Sequence, residues 1–277
     1  MDFLHLHTYG YLFVWFIIYS FLGWVYESLW ASFNERQWVN RGFLSGPVIP
    51  IYGFGAVFFV LLLSNISNPV YIFILGMVIA SILEYFTSWA MEKLFHARWW
   101  DYNHYPFNLN GRICLYGALL FGFFAVVIIK VVQPYVAEFT SSFSDYSLYI
   151  LSVILMILFL TDTILTVRKV LHLKERMQEL QKAITIYRNQ AEERIAEYKK
   201  YRHEQRQQLL LNMKAEFEDS KIYAVLKEKF GDLDSHEKRL LKAFPNLRSK
   251  EFDDAVIRIK NKLSEYKNRR EKKDEVL

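Results

Sequence analysis

Apolar residues fall in five blocks over the first 167 positions, each separated by a short polar break. A helix needs about 20 mostly apolar residues to cross a bilayer core. The blocks cover residues 11–31, 48–63, 70–90, 113–132 and 148–167, and each predicts a span. The second is the shortest and carries Pro50, Gly53 and Gly55. It predicts a short span or a broken, re-entrant one, which protein or a water-filled cavity would have to cover. Beyond residue 167 the pattern changes. Leu173, Met177, Leu180, Ile184, Tyr187, Ala191, Tyr198 and Tyr201 recur at spacings of three and four, a heptad-like seam broken at Arg194. No proline lies between Pro134 and Pro245. The last span is therefore expected to continue as one helix to about Lys221. A break is expected at Gly231-Asp232, a helix cap at Ser235, a turn at Pro245-Asn246 and a final helix over 249–270. The fold class is an all-α polytopic membrane bundle of about five spans over residues 1–167. A long helical, partly coiled-coil-like arm follows over 168–277.

Charge sharpens this division. Residues 1–161 hold six basic and eight acidic side chains, a net charge of −2. The remainder holds 28 basic and 21 acidic ones, a net of +7. All seven Trp lie within the first 100 residues. The single cysteine, Cys114, excludes an intrachain disulfide. The N-terminus shows neither a basic n-region nor a cleavage signal, so the first block is expected to remain as a membrane helix. Arg36 and Arg41 lie between blocks one and two, Lys93, Arg98 and Arg112 between three and four, and Arg168 and Lys169 after five. The other two breaks, 64–69 and 133–146, contain no Lys or Arg. Basic residues mark cytoplasmic loops. The expected topology is plasma-membrane, multi-pass, with the N-terminus outside and the C-terminus cytoplasmic. Lys130, near the outer face, is expected to reach the headgroups.

Ionisable residues within spans are costly and usually face the bundle interior. Glu27, Glu84 and Asp162 are the three that stand out. Glu27 follows Gly23 by four positions and precedes Ala31 by four. Span three repeats the device with Gly76, Ala80, Glu84, Ser88 and Glu92. Small residues let helices approach closely, so these carboxylates point at protein rather than lipid. At 1.5 Å per residue, Glu27 and Glu84 both sit roughly 6–9 Å from the inner ends of their spans. Each carboxylate either closes a hydrogen-bond network between helices or serves a substrate, ion or proton.

Two inner loops carry the remaining candidate chemistry. Arg41 to Gly55 contains Gly42, Gly46, Pro47, Pro50, Gly53 and Gly55, a composition that requires specific backbone geometry. The second loop brings Arg98, Asp101, Asn108, Asn110 and Arg112 together with Trp99, Trp100 and Tyr102. Arg41, Arg98 and Arg112 are suited to a phosphate or carboxylate headgroup. Equally, they are suited to neutralising Glu27, Glu84 or Glu92. The candidate substrate or ion site is therefore Glu27, Glu84, Arg41, Arg98, Asp101, Asn108, Asn110 and Arg112.

These residues also carry a resemblance. Phe21-Leu22-Gly23-Trp24 through Glu27, the Arg41–Gly55 segment, and Glu84-Tyr85 with Ser88-Trp89 through Glu92-Lys93 resemble a family of bacterial multi-pass proteins labelled ABC-transporter permease, type IV. Trp99-Trp100-Asp101-Tyr102, Pro106-Phe107-Asn108 and Gly111-Arg112-Ile113 belong to the same resemblance, which covers about residues 10–165. It implies a plasma-membrane protein of a kind frequent in Gram-positive bacteria, with a transport role. It carries over no catalytic residue and no substrate.

Several chemistries lack their motifs. No G-x-x-x-x-G-K-[ST] phosphate loop occurs, so an ATP-driven role calls for a cytosolic ATPase on another chain. H-E-x-x-H, C-x-x-C and G-x-S-x-G are also missing, which argues against an enzyme and calls for no cofactor and no metal. Acidic residues among the basic ones of the arm leave no clean phosphate-binding face, so no nucleic-acid partner is expected. Three functions remain: a transport-associated permease component with an inner-leaflet polar site, a membrane-embedded enzyme acting on a lipid or lipid-linked substrate, and a scaffold or sensor recruiting partners through the arm. The partners expected are the bilayer and, because five helices are few for a transporter, a homodimer or a separate membrane chain.

Overall fold

The computed structural model describes residues 3–199, 224, 239–240, 243–244, 247–248, 253–255 and 257. Helix α1 spans Phe3–Glu35, α2 Pro50–Leu63 and α3 Pro69–Phe95. A two-residue hairpin follows, β1 Asn108–Leu109 pairing antiparallel with β2 Ile113–Cys114. Helix α4, Leu115–Val127, passes through a π-helical turn at Ile128–Val132 into α5, Gln133–Ser141. Helix α6 runs from Asp145 to Lys199, 55 residues.

The helix limits follow from local chemistry. Helix α1 ends where Arg36 takes a φ of 50° and the Gln37 amide reaches back to the Ser32 carbonyl at 3.3 Å, satisfying an end carbonyl. Helices α2 and α3 both begin on proline, whose missing N–H costs nothing in a first turn. The Asn68 side chain caps α3 through the Val70 amide at 2.9 Å, and Ser144 caps α6 through the Ser147 amide at 3.2 Å. Four helical stretches are long and apolar enough to cross a membrane: Tyr9–Glu35, Pro69–Phe95, Leu115–Ser141 and the first part of α6. Helix α2, at 14 residues, is shorter than a full span, so the expected five become four long spans and one short apolar helix.

One boundary differs from the sequence expectation. The fourth span does not stop at residue 132 but continues to Ser141. Pro134 reads as a loop residue, since it cannot donate to the Lys130 carbonyl four positions earlier. The chain absorbs that loss by widening into the π turn over 128–132. The polar residues that follow are satisfied by α1: Tyr19 donates to Gln133 at 2.5 Å and Trp15 to Thr140 at 3.0 Å. Lys130 donates to the Ile66 carbonyl at 3.1 Å, just past the end of α2. The last span does continue as one helix, through Lys199; its expected extension to about Lys221 lies outside the described residues. So do the expected break at Gly231-Asp232, the Ser235 cap and most of the final helix, of which 253–255 and 257 are helical.

The chain forms two compact units. The first comprises residues 1–94, 98–168 and 242–246. Glycine contacts set its tightest helix crossings. A Cβ on Gly53 would lie 2.5 Å from the Phe16 carbonyl oxygen of α1, and one on Gly76 2.3 Å from the Ala125 side chain of α4. Phe59, Val60, Leu63, Ile72, Ala80, Ala125 and Ile129 form its core. Leu61, Leu62, Ile82, Phe86 and Leu158 point outward and are exposed, as a lipid-facing surface requires. The second unit comprises 95–97, 169–241 and 247–277. In it Leu173, Met177, Leu180, Ile184 and Ala191 of the heptad-like seam are buried. Beside them Gln181 accepts from the Ala255 amide at 3.2 Å, and Arg188 pairs with Asp254 at 2.9 Å. Asp254 and Ala255 thus lie against α6.

Candidate functional site

Gly23 creates the first half of the site. A Cβ there would fall 2.3 Å from the Tyr52 ring, so only glycine leaves room for that ring against α1. Placed this way, the Tyr52 hydroxyl donates to Glu27 at 2.6 Å. Arg41 approaches the same carboxylate only to 3.9 Å. Glu27 is half-buried and Gly23 buried.

Glu84 forms the second half. It is only 6% exposed. The Tyr102 hydroxyl donates to it at 3.1 Å. Among the described residues no Lys, Arg or His lies within ion-pair distance of Glu84. A cavity of about 50 Å³ opens beside it between α2, α3, α4 and the π turn, lined by Tyr52, Ala56, Phe59, Ala80, Phe121 and Phe124 among others. That volume admits a few water-sized groups. Burial, then the charge and hydrogen bond of Glu84, then the charge of Glu27 hold the Tyr102 phenol well above its ordinary range. The two carboxylates and two phenols are therefore one electrostatic cluster. Tyr102 keeps its proton and acts as a donor.

The arginines of the second loop are engaged elsewhere. Arg112, 8% exposed, lies 2.7 Å from Glu92, and Arg98 lies 2.9 Å from the same oxygen. Arg112 also donates to Ser88 at 3.3 Å and sits over the Tyr85 ring at 5.5 Å. Arg98 bonds the Asn110 carbonyl at 3.0 Å, and the Asn110 side chain donates to Tyr85 at 3.1 Å. This network ties the loop to the end of α3. Asp101 and Asn108 shape the loop itself: Asp101 accepts from the Asn103 amide and Asn108 from the Gly111 amide, both at 3.0 Å. Gly111 takes a φ of 66°, and a Cβ there would meet Asp101 at 2.6 Å. The Tyr102 amide bonds the Gly111 carbonyl at 2.8 Å, so this fold fixes the residue that reaches Glu84.

Asp162 plays a different part from the other two intramembrane acids. Its carboxylate accepts from the Ser45 amide at 3.1 Å and the Gly46 amide at 2.8 Å, and Thr166 donates to it at 3.2 Å. It anchors the glycine- and proline-rich loop to α6 and so fixes the approach to α2.

The eight sequence candidates thus form two groups. Glu27 and Glu84, with Arg41 near Glu27, surround the phenols. Arg98, Arg112, Asn110, Asp101 and Asn108 build the adjoining loop. The residues not foreseen are Tyr52 and Tyr102. Gly23, a vacancy one turn before a carboxylate, was a sequence signal for Tyr52; Tyr102 was visible only as one aromatic of the second loop, with nothing to pair it with Glu84. Among the described residues no group of three His, Cys, Asp or Glu is placed to hold a metal.

A family model described as "Putative ABC-transporter type IV" matches residues 14–167. The chain belongs to that family. The matched region contains all eight candidates, both phenols and Asp162, and ends where the arm begins. Together with the long apolar helices, membership makes this a multi-pass, transport-associated membrane protein. No curated protein and no solved structure matches the chain.

Proposed function

We propose that this type IV family member is a permease component whose inner-leaflet site, built on Glu27, Tyr52, Glu84 and Tyr102, binds a cationic group during transport. The observation that carries this reading is Glu84: a buried carboxylate beside a cavity, held by one phenol and by no basic side chain among the described residues. Such a group attracts positive charge, whether a proton, a small cation or an amine. Arg41 gives Glu27 only a long contact, so neither carboxylate of the cluster has a close basic partner among the described residues. Glu92 occupies Arg98 and Arg112, which weakens the case for a phosphate-binding lipid enzyme. The seam of the arm is buried within its own unit, which weakens the case for a scaffold that dimerises through it.

The Lys and Arg of the loops favour a site at the cytoplasmic side, with the N-terminus outside. ATP hydrolysis is assigned to a separate cytosolic chain, and a second copy or a membrane partner completes the pathway. Purification in mild detergent with identification of the bound chains tests this. An ATPase should co-purify, and its turnover should lose coupling to transport in Glu27→Gln and Glu84→Gln. Self-association without any ATPase, or unchanged coupling in both variants, would refute the proposal.

A further inference from the structure

One short part of the arm belongs to the membrane unit: residues 242–246. Ala243 is helical and fully buried, Phe244 is not helical, and Pro245 follows. The residue before a proline is driven out of the helical region, so the helix ends here. The last carbonyls of a helix lack intrahelical donors and carry the negative end of its dipole. They attract a cation. The Arg41 guanidinium supplies one by donating from Nη1 to the Ala243 carbonyl. Phe244 lies beneath the same guanidinium at 5.5 Å and meets the Trp99 ring edge-on at 4.7 Å. Trp99 in turn packs edge-on against Phe43 at 5.1 Å. A cation over an aromatic face and edge-to-face rings are both favourable arrangements.

We propose that Arg41, Phe43 and Trp99 form a docking surface for the chain's own Ala243–Phe244 pair, and that this docking holds Arg41 back from Glu27. The 3.9 Å separation between Arg41 and Glu27 is at the limit of an ion pair. The guanidinium is shared: one edge serves the helix end, and its face rests on Phe244. Releasing the pair frees Arg41 to close on Glu27 and cancel its charge. Docking thus keeps the carboxylate cluster negative, and undocking neutralises half of it. The consequence for transport rests on the proposed role of Glu27; the docking does not, and its test reads docking alone.

The full chain carrying Cys114→Ser keeps a side-chain acceptor at the start of α4 and leaves no native thiol. In it, Trp99→Cys with Phe244→Cys should be joined within one chain by a short bismaleimide, whose spacer covers the span the two rings leave, seen as a shift of the monomer band. Joining only between chains, or none while each single thiol still reacts with a maleimide, overturns the proposal. A second arm measures the stability coupling between Glu27→Gln and Arg41→Gln with Phe244 intact and with Phe244→Ala. The coupling should at least double without Phe244. Phe244→Leu, which keeps apolar bulk but no aromatic face, should fall between. Equal coupling in all three backgrounds overturns the claim that docking restrains Arg41.

Discussion

Glycine and tyrosine, more than the charged residues, decide the geometry of the carboxylate cluster. Gly23 is the clearest case, because any larger residue would occupy the space of the Tyr52 ring. Gly23→Ala should therefore imitate Tyr52→Phe in its effect on Glu27. Overpacking of this kind costs about 1–3 kcal/mol. Reversible unfolding in detergent should show a loss of that size, and a neutral result would mean that Tyr52 is not held by α1. Tyr102 gives a prediction in pH. Its folded pKa lies above its unfolded value of about 10. Its stabilising contribution is complete below that pH and is lost as pH rises, because the unfolded phenol ionises first. Tyr102→Phe should flatten the fall of melting temperature above about pH 10. Identical alkaline profiles would show that Tyr102 is not buried against Glu84. The carboxylates were legible from sequence because charges in apolar blocks are few enough to name. Their phenol partners were not, since Tyr52 is 25 residues from Glu27 and Tyr102 is 18 from Glu84. Such pairs form only once helices and loops have packed.

At the scale of elements, apolar periodicity located the helices and misplaced one end. The segment after residue 132 combines Gln133, Pro134 and Thr140, and in water that composition forms a loop. Here α1 supplies the missing partners, and the π turn accommodates the proline. The Tyr19–Gln133 bond should set the register of α5 against α1. Gln133→Leu strands a buried hydroxyl and should cost about 1–3 kcal/mol. Adding Tyr19→Phe should recover most of that loss. A strictly additive double variant would separate the bond from the register. The glycine- and proline-rich loop was legible as a special backbone, yet its anchor was hidden, because Asp162 lies 117 residues from Ser45.

For the whole molecule, sequence and structure agree on a membrane protein whose described residues are almost all helical, and the family match supplies the transport setting. The charge of the loops predicts the orientation. In a Cys114→Ser background, His104→Cys should react with an impermeant reagent from the cytoplasmic side and Ser67→Cys from outside. The reverse pattern would invert the topology and place the carboxylate cluster in the outer leaflet. The seam of the arm shows what periodicity cannot decide. Spacings of three and four announce a face to be buried, but a second chain and the same chain satisfy them equally. Here the buried seam and the Gln181–Ala255 bond show the chain packing on itself.

The central claim is that the buried carboxylates bind a cationic group during transport. It is tested most directly by flux of protons and small cations into proteoliposomes holding the chain with its co-purified partners. Glu84→Gln, which keeps the shape and removes the charge, should reduce ATP-dependent flux at least tenfold, while Glu84→Asp should keep a measurable part of it. Flux in Glu84→Gln equal to that of the parent protein would contradict the account.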